Sequence, residues 1–100
     1  MNKFLSFLGL TRKSGNLIAG GNLAEAAIKR GKVCLLLLAQ DASDGTKKSF
    51  RDMSRSFNVE ILEVSTKDDL GSAIGKGQIS VIGVTDQIMS KKLKELWIAM

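Results

Sequence analysis

Apolar residues recur along this chain in two rhythms, one helical and one extended, that alternate from end to end. Between Asn2 and Lys13, the residues Phe4, Leu5, Leu8 and Leu10 fall mostly on one face of a helix, which Asn2 can cap and Ser14-Gly15 can end. Asn16–Ala19 is too short for a helix and reads as a brief strand. A glycine pair, Gly20-Gly21, comes next, and Asn22 stands where it could cap a helix ending at Gly31, with Ala24, Ala27 and Ile28 on its inner side. The run Val33–Leu38 is apolar at every position, the pattern of a strand covered on both faces, and it includes Cys34 as a small buried hydrophobe.

Past Ala39–Ser43, an Asp44-Gly45-Thr46 turn leads into a helix over roughly 46–57 with Phe50, Met53 and Phe57 inward. The strand Val59–Val64 alternates only partly, which places it nearer a sheet edge. Ser65 or Thr66 can cap a short helix with Asp68 and Asp69 in its first turn, running to about Ile74. A Gly75-Lys76-Gly77-Gln78 loop leads to the strand Ile79–Val84, and Thr85-Asp86 can cap a last helix with Ile88, Met89, Leu93, Leu96 and Trp97 as its apolar positions. Helices and strands alternating through short loops predict an α/β fold: a three-layer α/β/α sandwich around a mixed, mostly parallel four-stranded sheet, with one antiparallel member at an edge. No linker, repeat or low-complexity stretch divides the chain, so residues 1–100 are expected to form a single domain and a monomer.

Composition narrows the function. Histidine is absent, which removes the commonest general base and the commonest metal ligand together, and the single cysteine rules out a disulfide within the chain. No glycine-rich loop ending in Lys-Ser/Thr follows a strand, and no G-x-G-x-x-G opens a helix. The expectation is a protein without enzymatic activity, metal or cofactor. No apolar run approaches the roughly 18 residues that would cross a bilayer, and the start lacks the pattern of a cleaved leader, so a cytoplasmic location with no membrane partner is expected.

The net charge of +5 is unevenly spread. Residues 1–50 carry eight Lys/Arg against three Asp/Glu, whereas residues 51–100 carry seven of each. Between Arg12 and Lys32 the bases Arg12, Lys13, Lys29, Arg30 and Lys32 face only Glu25. This asymmetry points to a polyanion, because neutralising phosphates releases counterions and supplies affinity. The start of the Asn22 helix would add free backbone N–H groups and a partial positive charge, and the Asn22 carboxamide offers a donor and an acceptor to a base edge.

Read whole, the sequence resembles the ribosomal-protein superfamily of kink-turn RNA binders known as L-seven-Ae and L-thirty-e, and especially its bacterial YlxQ-type branch. The pieces that carry the likeness are Leu8-Gly9-Leu10, Lys13-Ser14-Gly15, Gly20-Gly21-Asn22, Lys32–Ser43, Asp69–Lys76 and Val84-Thr85-Asp86-Gln87. The superfamily pattern runs glycine, any residue, asparagine or lysine, then glutamate or glutamine, two further positions and lysine, and ends in a basic residue and glycine. Gly20, Asn22, Arg30 and Gly31 match it, whereas Leu23 and Ala26 stand where the family has its acidic or amide group and its lysine. The resemblance implies binding of structured, kink-turn-like RNA in a ribosome- or translation-associated role. The candidate contacts are Gly20 with the backbone amides of Gly21, Asn22 and Leu23, the Asn22 side chain at a base edge, and Arg12, Lys13, Lys29, Arg30 and Lys32 for the electrostatic field; the resemblance adds a second loop, Gly75-Lys76-Gly77-Gln78. A protein-interaction module of the same fold that has lost tight kink-turn binding is the alternative, with Leu23 and Ala26 in an apolar docking patch.

Overall fold

The computed structural model describes residues 2–100, which form five helices and four strands. In chain order these are α1 (Lys3–Lys13), β1 (Leu17–Ala19), α2 (Gly21–Lys29), β2 (Leu35–Leu38), α3 (Asp44–Phe57), β3 (Glu60–Glu63), α4 (Lys67–Ala73), β4 (Val81–Val84) and α5 (Gln87–Ile98). The expected α/β class and mixed four-stranded sheet are present, in the order β1-β4-β2-β3. Every residue of β2 and β4 is buried, so both faces of the sheet's centre are covered by helices. The edge strands β1 and β3 are only half-buried or exposed along their length.

Strand direction corrects the expectation of a mostly parallel sheet. Only β2 and β3 pair in parallel; β4 runs antiparallel to both β1 and β2. The physical reason lies between β3 and β4. After the seven-residue α4, the chain doubles back along that helix, and the Ile79 N–H donates to the Lys67 carbonyl at 3.1 Å. It therefore re-enters the sheet from the end at which β3 left it, where a parallel crossover would have delivered it to the other end.

That doubling back requires a glycine inside α4. A Cβ on Gly71 would lie 1.5 Å from the Gly77 carbonyl oxygen, and the Lys76 N–H donates to the Gly71 carbonyl at 2.8 Å. The core beneath is aliphatic, centred on Leu35–Leu38 with Leu8, Ile28, Leu70, Ile82 and Leu93. Phe4 meets Trp97 edge-on, 5.3 Å between ring centroids, where α1 crosses α5.

Four helix starts are closed by a side chain. Asn2 accepts from the Leu5 N–H at 2.8 Å, Ser43 from Thr46 at 3.2 Å, Thr66 from Asp69 at 3.1 Å and Asp86 from Met89 at 2.8 Å. Several element ends differ from expectation. Ser43 starts α3 at Asp44 rather than 46, and the two inner strands begin at Leu35 and Val81 rather than at Val33 and Ile79. Cys34, expected inside a strand, precedes β2 and is exposed. Phe57 is 44% exposed and Ile88 81%, because each sits at a helix end where no neighbouring element remains to cover it; Leu10 is 55% exposed.

Charge pairs tie α3 to the β3 edge. Glu63 on β3 accepts from Arg51 and lies 3.5 Å from Lys47. Arg51 holds the Glu63 carboxyl below its ordinary value near 4.5, against the opposing effect of burial.

Two outcomes follow. Gly71→Ala should lower stability by at least about 2 kcal/mol in urea unfolding, since the new methyl would overlap the Lys76–Gly77 backbone. Glu63→Gln should cost about 0.5 kcal/mol at neutral pH, the scale of partly exposed ion pairs. Because the folded pKa is depressed, that contribution is present above the unfolded value and is lost as pH falls through the folded one. Urea midpoints of wild type and variant should therefore converge as pH falls below the ordinary carboxylate range and through the folded value.

Candidate nucleic-acid interface

The site begins where β1 ends. Gly20 adopts φ 103° and ψ 148°, a region essentially reserved for glycine, and this turns the chain from the sheet into α2. The Gly20 N–H donates to the Val81 carbonyl at 2.9 Å, and its own carbonyl accepts from Ala24 at 3.0 Å. Gly20, rather than the expected Asn22, is thus the cap residue, and no side chain closes this helix start. The N–H groups of Gly21, Asn22 and Leu23 have no intrahelical acceptor, no acid lies in the first turn, and the positive end of the helix dipole is unscreened.

Gly21 rests on Phe50 of α3: a Cβ there would lie 3.6 Å from the ring. Because β4 runs against β1, the segment entering β4 arrives beside this helix start. Gly20, Gly21, Asn22 and Glu25 of α2, Thr46 and Ser49 of α3, and Gln78 and Ser80 line one depression of about 560 Å³. Gln78 is held in place by donating to Asp68 at 2.8 Å. Asn22 is exposed at the rim.

Glu25 and Lys29 lie on the same side of α2 as Asn22, joined at 3.0 Å in an i,i+4 pair. Leu23 is 65% exposed on the other side, where Ile18, Leu23, Ala26, Ala27, Arg30 and Lys32 line a second depression of about 370 Å³. Arg30 and Lys32 stand at the far end of the nine-residue helix, about 13 Å from Gly21.

The remaining expected residues stand apart. Arg12 and Lys13 end α1, and the Arg12 guanidinium lies 3.9 Å from where a Gly75 Cβ would be. Gly75, Lys76 and Gly77 belong to the stretch folded back on α4 and do not line the depression; only their successor Gln78 reaches it. Thr46 and Ser49 were not among the sequence candidates. Their signal was the Ser43-Asp44-Gly45-Thr46 helix start, which places small polar side chains at the same end of the sheet.

Ion pairing decides which bases remain available. On α3, Lys48 and Arg55 sit 3.0 and 2.6 Å from Asp52 and hold its carboxyl below the ordinary value, while Lys47 and Arg51 serve Glu63. Lys94 pairs with Glu60. Among the described residues, Arg12, Lys13, Arg30 and Lys32 have no carboxylate partner within 4.0 Å. The same residues contain no cluster of potential metal ligands and no helix long and apolar enough to cross a membrane.

A mixed four-stranded sheet between helical layers, with an open helix start and a returning loop gathered at one end, defines a class of small α/β/α proteins. A Bacillus halodurans protein of unknown function shares it, with a TM-score of 0.93 and 37% identity over 98% of this chain and 99% of that one. A Giardia lamblia 15.5kD RNA binding protein has the same fold, with a TM-score of 0.76 at 17% identity over 96% and 86% of the two chains. The model of the ribosomal protein L7Ae/L30e/S12e/Gadd45 family matches residues 2–94, and the chain belongs to that family. Two relatives bear the name RNA-binding protein YlxQ. The Enterococcus faecium protein is 35% identical over 94% of this chain and 90% of its own length, and that of Bacillus subtilis 32% over 94% of each.

The two glycines of the helix start should behave differently. Gly20→Ala should cost about 1–3 kcal/mol, because alanine is strained at that φ. Gly21→Ala faces only ordinary contact with Phe50 and should change stability by less than about 0.5 kcal/mol. Thermal unfolding of the two variants distinguishes them.

Proposed function

We propose that this protein binds structured RNA of the kink-turn type through the start of α2, as a non-enzymatic, translation-associated protein of the cytoplasm. The observation that carries the reading is the uncapped start of α2 beside the Gln78–Ser80 segment, on a family fold whose named relatives are RNA-binding proteins. Free N–H groups at Gly21–Leu23 receive a phosphate at the positive end of the helix dipole. Asn22, exposed and not occupied in capping, presents a donor and an acceptor to the edge of an unpaired or sheared base.

The RNA backbone then follows α2 toward Arg30 and Lys32, which have no carboxylate within 4.0 Å among the described residues. Leu23 and Ala26 meet it through van der Waals contact where the family pattern has polar groups. Lys29 stays close to Glu25, so its net effect on phosphate is reduced. Arg12, beside Gly75, and Lys13 at the end of α1 supply a longer-range field, with Lys76 on the loop next to Arg12.

A second reading is favoured by Leu23: a 65% exposed leucine beside Ile18 and Ala26 suits docking of a protein partner. Ionic strength separates the two, since phosphate contacts weaken steeply with salt and apolar docking does not.

Binding of a kink-turn RNA, followed by fluorescence anisotropy, tests the proposal. Asn22→Ala should weaken it by about tenfold, the scale of one lost base contact, while Lys92→Ala on α5 should change it less than about twofold. Equal losses from the two variants, or an affinity indifferent to salt, would remove α2 as the RNA site.

A further inference from the structure

The end of the sheet remote from Gly20, where β2 and β3 begin, holds a cleft of about 440 Å³ between those strand starts and the first turns of α5. Its floor is apolar, formed by Val33 and Val59. Its wall on the α5 side is one helical face, Gln87, Ser90, Lys91 and Lys94, spaced at three, four and seven residues. Asn58, at the end of α3, and Cys34, just ahead of β2, complete it.

Two independent observations distinguish this cleft from an ordinary surface hollow. The first is Ser90, which lines it, is 7% exposed, and carries the one buried side-chain oxygen or nitrogen among the described residues that has no hydrogen-bond partner. A buried hydroxyl left unpaired costs free energy, which an acceptor bound in the cleft would recover once the Ser90 side chain rotates toward it. The second is the balance of donors and acceptors. Glu60, the only carboxylate lining the cleft, is already engaged by Lys94. Lys91 has no carboxylate within 4.0 Å, and the carboxamides of Asn58 and Gln87 make no side-chain hydrogen bond within the described residues. The lining therefore carries one uncompensated positive charge and a surplus of N–H and O–H donors over an apolar floor, within the volume range of small-molecule sites.

We propose that this cleft is a binding site for a small organic anion, its phosphoryl or carboxylate oxygens held by Lys91, Ser90 and the two carboxamides, and its carbon skeleton resting on Val33 and Val59. It shares no lining residue with the depression at α2. Lys91 supplies attraction and Ser90 the close hydrogen bond. Cys34 is not needed for binding, but its exposed thiol is the only one in the chain and lies in the cleft, so it reports occupancy.

The experiment follows carbamidomethylation of Cys34 by neutral iodoacetamide, read by mass spectrometry on the intact protein. Inorganic phosphate and citrate are the two probes, with sodium chloride at matched ionic strength as reference. Either probe, or both, should slow the reaction saturably at millimolar concentration, by threefold or more; which one does so identifies the phosphoryl or the carboxylate as the preferred group. Lys91→Gln, an exposed position, should abolish the protection, and Ser90→Ala should shift it to higher concentration. Slowing that merely matches sodium chloride, no slowing by either probe, or protection that survives unchanged in Lys91→Gln would each overturn the site.

Discussion

The arrangement turns on one constraint: β4 enters the sheet between β1 and β2 and runs against both. An antiparallel neighbour starts where its partner ends. The residues ahead of β4 are thereby delivered to the end of β1, and the Gly20 N–H to Val81 carbonyl bond, 2.9 Å, fastens the two. Had β4 run parallel to β1, the Gln78–Ser80 segment would lie a full strand length away, and the start of α2 would stand alone. The short α4 and the Gly71–Gly77 contact that fold the chain back are thus as much a part of the candidate interface as the residues that line it.

The same sheet fixes where charge can act. Both edges are thin, and the protein protects them differently. At β3, Glu60 and Glu63 recruit Lys94, Lys47 and Arg51, so each basic residue of α3 has a carboxylate partner, two sharing Glu63 and two sharing Asp52. At the β1 side no comparable acid is present; Glu25 answers only Lys29. The excess of positive charge visible in the first half of the sequence therefore survives folding unpaired at the ends of α1 and α2, while the four basic residues of α3 are all engaged in pairs.

Much of this could be read from the residues, and what could not has a common cause. The cap at Asn2, and those at Thr66 and Asp86 to within one residue, were legible because a single side chain closes each helix start locally. The buried character of Leu35–Leu38 was legible because an unbroken apolar run has no solvent face. Asn22 misled because the cap position is decided by backbone geometry, and Gly20 at φ 103° occupies it two residues earlier. Cys34, Phe57 and Ile88 misled because periodicity continues past the point where a neighbour exists to cover it. The direction of β4 was hidden because it depends on a glycine crossing within α4, a contact between residues that local pattern does not relate. In the site, the glycine-opened helix start was legible, but the separation of Arg12 and Lys13 from it was not, since sequence proximity says nothing of which end of a helix they reach.

The two ends of the molecule are connected by little that can move. Val33 lines the cleft near β2 and also packs 3.2 Å from the position a Cβ would take on Gly83, a position that lies 4.0 Å from Ala24 of α2. That contact joins the cleft to α2 through β4, a strand buried at every position. Coupling between distant sites needs an element with two arrangements that both sites bias. Here the path offers only β2 and β4, buried at every position, which resist small displacements rather than switching between states. The proposed anion cleft and the proposed RNA contact at the start of α2 are accordingly expected to act independently on this scaffold. A mutation at one end that alters the other is explained by damage to the sheet between them.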